Sequence, residues 1–181
     1  MADLQTKTHL YELLGQIVVS FGALERGVDG LILGAMDSPF SQGQALLKSM
    51  SFQQKVPAMG DLIRNMHSVS ELGVLSQTLQ ALIERCDACE QERNNWVCSY
   101  WVPEVNSPAG FVSRLSHSND SGALVLALVD ISELERCVVV LNATVAYLYG
   151  FHQKLSNNFR RVRSIRLVEE FLNASQRVAQ N

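Results

Sequence analysis

The feature that most constrains the fold is a long apolar stripe with helical spacing between Leu72 and Trp101. Apolar side chains recur there every three or four residues and polar residues fill the opposite face, which is the pattern of an amphipathic helix. Pro103 ends the pattern because proline cannot continue a helix. The stripe contains Leu75, Leu79, Leu82, Cys86, Cys89, Arg93, Trp96 and Tyr100. We therefore predict a helix from Leu72 to Trp101.

Two further helices are predicted before it. The first spans about residues 8–36, where five glycines weaken helix propensity but allow another helix to approach closely. The second spans about residues 43–67. A capping-box pattern at residues 51–54 indicates that this second helix breaks and restarts there.

Between the third and fourth helices the pattern changes to a small hairpin. Two β-tolerant runs, 111–115 and 123–128, flank a turn that contains Asn, Asp and Gly. The second run is also compatible with the start of a helix. The fourth helix is predicted to have Ser132 as its N-cap, with Glu135 completing a capping box, and to extend to about Leu155.

These elements predict an all-α fold, an up-and-down helical bundle with a small β-hairpin insert between the third and fourth helices. Residues 1–155 form the predicted bundle. Residues 156–181 form an arginine-rich segment and a short C-terminal helix, packed on or extending the same domain. A chain of 181 residues with 47% apolar residues can bury a core, which rules out wholesale disorder. Only 18% of the residues are charged, which favours burial of surface against a second subunit.

Several function classes find no support in the sequence. It has no glycine-rich phosphate loop, G-x-S-x-G elbow or H-E-x-x-H pair. Cys86 and Cys89 are spaced like a metal-binding pair but lie in mid-helix without a second pair, so we interpret them as small buried hydrophobes and predict no metal or cofactor. The N-terminus lacks a basic region before an apolar core, and the apolar stretches are shorter than the ~20 residues that span a bilayer. We expect a cytoplasmic protein with no membrane association.

Arg93 breaks the apolar stripe, and a charged group in such a position needs a partner or a ligand. It begins the run Arg-Asn-Asn-Trp-Val-Cys-Ser-Tyr-Trp, 93–101. With this run the chain resembles the HEPN superfamily, small helical domains that form dimers. The family signature is Arg, a polar residue, a few further residues and then His, often followed by Gly or Ser and then Trp. Arg93 and Asn94 match its opening, and Ser99 and Trp101 match its trailing positions.

Other segments extend the resemblance over most of residues 10–155. Phe-Gly-Ala-Leu-Glu at 21–25, Ser-Phe-Gln-Gln-Lys at 51–55, and the hairpin followed by Ile-Ser-Glu-Leu at 131–134 fit certain bacterial members. The departure is Cys98, which stands where the family has its histidine. A thiol, with an ordinary pKa of about 8.5, is a poorer acid–base group at neutral pH than an imidazole at about 6.5.

The resemblance implies a metal-independent endoribonuclease of the toxin or phage-defence type. In the family, Arg and His of two subunits meet at the dimer interface and cleave RNA through the ribose 2′-hydroxyl. When the family's roles are transferred to the matching positions of this chain, Arg93 contacts the scissile phosphate and Asn94 hydrogen-bonds phosphate or ribose. Glu25 orients Arg93, and Cys98 weakens or abolishes catalysis. The candidate RNA-binding residues are Tyr100, Trp101, Arg160, Arg161 and Arg163.

Alternatives remain open beside this interpretation. A purely structural salt bridge between Arg93 and Glu25 explains the arginine equally well. Trp96 and Tyr100 are more easily explained as core residues than as platforms for bases. The arginine segment fits an RNA phosphate site or a surface for a protein partner about equally well. The alternative function is a non-catalytic HEPN-like interaction module that binds a partner such as a nucleotidyltransferase antitoxin.

Overall fold

The structure is a computed structural model. It describes residues 4–36, 40–66, 72–102, 107–117 and 124–179, without the side chains of 40, 72–74, 116–117 and 158–179. Residues 1–148 form one compact unit and residues 149–181 a second.

The described part of the chain is mostly helical, with one small antiparallel sheet, which confirms the predicted fold class. The sheet has the strand order β1-β2-β3 and lies in the sequence between the fourth and fifth helices. The helices are α1 (Leu4–Ala35), α2 (Phe40–Lys48), α3 (Phe52–Met66), α4 (Leu72–Val97) and α5 (Ile131–Ala179). The strands are β1 (Tyr100–Trp101), β2 (Phe111–His117) and β3 (Leu124–Asp130).

α1 carries a fully buried stripe and contacts α5 at close range. A Cβ atom added to Gly27 would lie 2.5 Å from Leu148 Cδ2, so only glycine fits at this position without displacing the leucine. The prediction that glycines in α1 permit close helix contact is therefore confirmed at Gly27. It is not confirmed at Gly15, Gly30 or Gly34, where nothing lies within 4 Å of an added Cβ.

The predicted break in the second helix is confirmed, and it divides α2 from α3. Ser51 is the N-cap of α3: its backbone N–H donates to Gln54 Oε1 at 2.9 Å, and its carbonyl accepts from Gln54 N at 3.0 Å. This is one half of a capping box. Pro57 lies inside α3, six residues after the cap.

α4 ends at Val97, four residues before the predicted end at Trp101. The carbonyls of a last helical turn need partners, and here two residues outside the helix provide them. Trp101 Nε1 donates to Trp96 O at 3.0 Å, and Arg114 donates to Asn95 O at 3.3 Å. Once those carbonyls are satisfied, the chain leaves the helix and Tyr100–Trp101 pairs with β2 instead.

The predicted hairpin is confirmed, and its second arm is a strand rather than the start of a helix. β2 and β3 pair from Phe111↔Asp130 to His117↔Leu124 without a bulge. The turn between them, 118–123, lies outside the described residues. β1 adds a third strand that was not predicted.

The N-cap of α5 is Asp130, not Ser132 as predicted. Ser132 N donates to Asp130 Oδ1 at 2.9 Å, and this hydrogen bond holds the pKa of Asp130 below its usual value. Glu135 does not complete a capping box, because its carboxylate bonds His9 of α1. The predicted end near Leu155 is also wrong, because α5 continues to Ala179. No proline or glycine follows Gly150 to interrupt it.

By length and composition one described helical segment, Ile131–Asn157, with a mean hydropathy of 1.2, is apolar enough to cross a bilayer. Its side chains Leu134, Leu141 and Leu148 are buried inside the protein. Core helices of globular proteins meet the same criterion, so the segment is weak support for a membrane span.

The ion pair between His9 and Glu135 makes the contact between α1 and α5 sensitive to pH. His9 Nε2 donates to Glu135 Oε1 at 2.9 Å, which raises the pKa of His9 above its usual value of 6.5; burial opposes the rise and Glu12 adds to it. A raised pKa means that the pair stabilises the fold fully below about pH 6.5 and loses this effect as the pH rises through the folded-state pKa.

We therefore expect His9→Gln to lower the thermal midpoint more at about pH 5.5 than at about pH 8. The effect should be small, because both side chains are about half exposed. Melting curves of wild type and variant at both pH values measure it, with exposed His152→Gln as the control. Equal differences at the two pH values would contradict the expectation.

Candidate functional site

The three sequence motifs that carry the resemblance meet at one place in the fold. The Phe21 ring of α1 lies 4.8 Å from the Phe52 ring of α3, measured between centroids, with the planes tilted by 59°. The Arg93 guanidinium of α4 covers the Phe21 ring, with Cζ 4.3 Å from the centroid. Both phenylalanines are buried and Arg93 is half-buried. Segments 21–25, 51–55 and 93–101 therefore form one cluster.

Arg93 is held by an aromatic ring and not by an acid. Glu25, predicted to orient it, instead accepts a hydrogen bond from Lys55 Nζ at 2.9 Å. Among the described side chains no carboxylate pairs with Arg93, and its buried Nε has no hydrogen-bond partner. Instead of a salt bridge to Glu25, Arg93 makes a cation–π contact with Phe21, so no described carboxylate neutralises its charge.

Lys55 is the charged residue that is most completely enclosed here, with a side chain only 6% exposed. It lies between Glu25 and Asp29, with Nζ 3.0 Å from Asp29 Oδ1. Burial by itself lowers the pKa of Lys55, but the hydrogen bonds to the two carboxylates outweigh burial, so its pKa is raised. The ion pairs of Lys55 with Glu25 and Asp29 join α1 to α3, about one helical turn after Phe21 and Phe52 along the two helices.

Asn94 and Cys98 lie on the solvent side of the end of α4. Both are exposed, and Cys98 N donates to Asn94 O at 3.2 Å, so they are one helical turn apart, as predicted. Arg93 and Cys98 are five positions apart, or about 140° around a helix of 3.6 residues per turn. Within one copy of the chain, Arg93 and Cys98 therefore point in different directions.

A second cluster, formed by Trp96, Trp101 and Arg114, packs where α4 meets the sheet. The Trp96 and Trp101 rings are stacked with centroids 6.3 Å apart, and Arg114 Cζ lies 4.9 Å from the Trp96 ring. Arg114 also donates to Asn95 Oδ1 at 3.0 Å. Trp96 is buried, as predicted for a core residue. Tyr100 was assigned to the same stripe but is 71% exposed, because it belongs to β1 and not to α4.

Sequence reasoning missed Arg114. Its own segment predicts only a β-strand, and no motif links residue 114 to residue 95. The pairing of Trp101 with Arg114 in the sheet brings this second cation to the end of α4. Knowledge of the β1–β2 register is the one signal that would have located it.

The three candidate RNA-binding arginines, Arg160, Arg161 and Arg163, fall within helix α5. Their side chains lie outside the part of the chain that the structure describes. Their role stays a prediction.

Three of the four cysteines are buried and Cys98 is exposed. Burial raises the pKa of Cys86 to about 12 and that of Cys137 to about 11, and it also raises the pKa of Cys89. Cys89 donates to Thr144 Oγ1 at 3.4 Å. The interpretation of Cys86 and Cys89 as buried hydrophobes is confirmed. The described residues contain no group of three or more His, Cys, Asp or Glu side chains that could hold a metal ion.

The burial difference predicts that iodoacetamide will modify the native protein once, at Cys98. Only a thiolate reacts, and the three buried thiols are both shielded and held protonated. Intact mass spectrometry should show one adduct under native conditions and four in denaturant. A Cys98→Ser protein is the control and should remain unmodified until it unfolds. A second rapid adduct on the native protein would show that the α4–α5 contact opens readily.

A surface concavity of about 750 Å³ lies elsewhere, about three helical turns along α1 from Phe21. It is lined by Leu4, Thr8, His9, Glu12, Gly110 and Ile131 among others. None of these lining residues belongs to segments 21–25, 51–55 or 93–101, so the concavity is separate from the cluster around Arg93.

Comparison with protein-family models, with curated proteins and with solved structures finds no match to this chain.

Proposed function

We propose that the chain is a HEPN-like homodimeric protein of the metal-independent endoribonuclease type, with catalysis weakened or lost because Cys98 replaces the histidine of the motif. The observation that supports the proposal is the environment of the Arg93 guanidinium. Its guanidinium is fixed on the Phe21 ring, partly open to solvent and without an acidic partner among the described residues. A cation held in this way is ready to bind an anion such as a phosphate.

The proposed reaction needs a cation and a group that moves protons. The ribose 2′-oxygen attacks the adjacent phosphorus and loses its proton, while the bond to the 5′-oxygen breaks and that oxygen gains a proton. The ends are a 2′,3′-cyclic phosphate and a 5′-hydroxyl. Arg93 would stabilise the negative charge that develops on the phosphate oxygens, and Asn94 would orient the phosphate or ribose.

Dimerisation completes the proposed site, because Arg93 and Cys98 of one copy point in different directions. A second copy would bring its own position 98 towards Arg93 of the first. Tyr100, which is exposed, would then contact a base, whereas Trp101 stacks on Trp96 and would act by positioning β1.

A second candidate function is favoured by Cys98 itself. A thiol in place of an imidazole lowers acid–base efficiency at neutral pH, but it leaves the helical surface intact. On this alternative the chain is a non-catalytic module that binds a partner protein, such as a nucleotidyltransferase antitoxin, through the same face.

The proposal is tested by incubating the full chain with single-stranded RNA in the presence of a chelator. We expect slow cleavage with 2′,3′-cyclic phosphate ends, and we expect Arg93→Ala to abolish it. Arg85→Ala is the matched control, since it removes the same charge from the same helix, where Arg85 covers the Tyr147 ring at 4.8 Å. Cleavage that is equal in the two variants would disprove the assignment.

The alternative makes a different prediction in the same assay. An interaction module would cut no RNA in any variant. It would retain a defined partner in wild type and in Arg85→Ala, and the surface variant Asn94→Lys would release that partner.

A further inference from the structure

β3 is an edge strand of the sheet. Among the residues that the structure describes, its only neighbour is β2, and the pairing runs over all seven positions of β3. One side of the β3 backbone is therefore occupied by β2, and the other side carries N–H and C=O groups with no strand to receive them.

Two hydrogen bonds decide which residues of β3 present those groups. Val102 N donates to Ser113 O at 2.8 Å, so the backbone groups of Ser113 point towards β1. Ile131 N donates to Gly110 O at 2.9 Å, which extends the β2–β3 pairing by one position. Because the direction of these groups alternates along a strand, the odd-numbered residues of β3 bond to β2. The residues whose backbone groups point away from β2 are Leu124, Leu126, Leu128 and Asp130.

The same three leucines also form an exposed apolar face. Leu124 is 63% exposed, Leu126 47% and Leu128 56%. Alternate residues of a strand share one face, so the three side chains lie together. Tyr100, Leu115 and Leu126 are cross-strand neighbours in one row, so the exposed Tyr100 ring belongs to this face as well. Free backbone groups and exposed apolar surface therefore coincide.

Edge strands of natural proteins are usually protected from pairing by a lysine, a proline, a bulge or an inward charge. β3 has none of these between residues 124 and 129, where the sequence is Leu-Val-Leu-Ala-Leu-Val, and its pairing with β2 shows no bulge. The only charged residue of the strand is Asp130, at its last position. Among the described residues no strand pairs with this edge, so it is available to another strand.

We infer that the β3 edge pairs antiparallel with the β3 edge of a second copy of this chain. A strand is required because the outward N–H and C=O groups need a backbone partner. A second copy fits because the strand is neutral, so pairing it with itself places no like charges opposite each other. With the two-fold axis at Leu126, Leu124 of one copy lies opposite Leu128 of the other, and the leucine faces become continuous.

The result is a sheet of six strands in the order β1-β2-β3-β3-β2-β1. β1, which directly follows Cys98, lies at the outer edges of that sheet. Pairing through β3 is therefore a different interface from the one that would bring position 98 of a second copy towards Arg93, and the inference does not depend on the proposed function.

The test is the mass of the full chain in solution, measured by sedimentation or light scattering over a range of concentrations. We expect Leu126→Lys to halve the mass, because the substitution places two lysines opposite each other at the axis. Val139→Lys is the matched control, since Val139 is 66% exposed on α5 and away from the strand. Its mass should equal that of wild type. A wild-type mass of 20.1 kDa at every concentration, or a dimer that Leu126→Lys does not change, would overturn the inference.

Hydrogen–deuterium exchange resolved by NMR identifies the interface directly. In wild type at high concentration, the amides of Leu124, Leu126 and Leu128 should be protected. In Leu126→Lys the outward amides should exchange rapidly, while those of Val125, Ala127 and Val129, which bond to β2, should stay protected. Protection of the outward amides that persists in monomeric protein would show that another part of the same chain covers the edge, which would also overturn the inference.

Discussion

Replacing Cys98 by histidine is expected to raise the rate of RNA cleavage by on the order of 10²–10⁴-fold, the usual contribution of a positioned acid–base group. Imidazole exchanges protons near neutral pH, whereas a thiol is mostly protonated there. Cys98 is exposed at the end of α4, so the larger side chain enters solvent and not the core. The measurement is the initial rate of cleavage of a labelled single-stranded RNA, with a chelator present.

Matched variants show whether an increase in the cleavage rate of Cys98→His comes from the proposed site. Cys98→Ala should show no gain, because alanine cannot carry a proton. The double variant Arg93→Ala, Cys98→His should fall back to the background rate, because the cation that stabilises the transition state is gone. No gain in a Cys98→His protein that is folded and dimeric would contradict the ribonuclease proposal and favour the interaction module.

Replacing Phe21 by alanine is expected to lower the free energy of unfolding by about 3–5 kcal/mol. The Phe21 ring is 5% exposed and contacts Phe52, so its removal leaves a cavity between α1 and α3. It also removes the surface on which Arg93 rests, leaving the buried Nε with neither a hydrogen bond nor an aromatic contact. Urea denaturation followed by circular dichroism measures the loss.

Two further variants separate packing from other effects. Phe21→Leu fills part of the cavity and should cost less than Phe21→Ala. Tyr11→Ala, on the exposed side of the same helix at 58% exposure, should cost no more than about 0.5 kcal/mol. A Phe21→Ala protein as stable as Tyr11→Ala would show that the α1–α3–α4 contact does not hold the fold together.

The helical elements were predictable because their signals are local. The capping pair Ser51 and Gln54 lies within one turn, and the Gln54 side chain accepts from the Ser51 N–H as its type predicts. The apolar side chains of the α4 stripe are buried from Leu75 to Trp96. Periodicity and capping depend on neighbours three or four positions away, so one sequence is sufficient to recognise them.

The predicted elements failed where a distant residue decides a local choice. Glu135 and Ser132 match a capping box, yet Asp130 caps α5 because Glu135 pairs with His9, which is 126 positions away. The end of α4 at Val97 depends in the same way on Arg114 of β2. Local propensity depends only on neighbouring residues, so it cannot predict a helix end that a distant side chain such as His9 or Arg114 decides.

The candidate site shows the same division. The residues of the site, an arginine within an apolar stripe followed by Asn94 and Cys98, were recognised from the sequence. The partner of Arg93 was not, because Glu25 and Phe21 are both on α1 and only three-dimensional packing assigns Glu25 to Lys55 and Phe21 to Arg93.

The amino-acid order alone determined the helical class and the hairpin between α4 and α5, because each follows from spacing within a few residues. Tertiary structure decided which charges are neutralised. A buried lysine selects the nearby carboxylates, since an unpaired charge is costly away from water. Arg93 is left on the Phe21 ring, with no carboxylate partner among the described side chains. Tertiary structure also decided that β3 ends the described sheet, because strand order is set by which segments meet, and no local pattern encodes that.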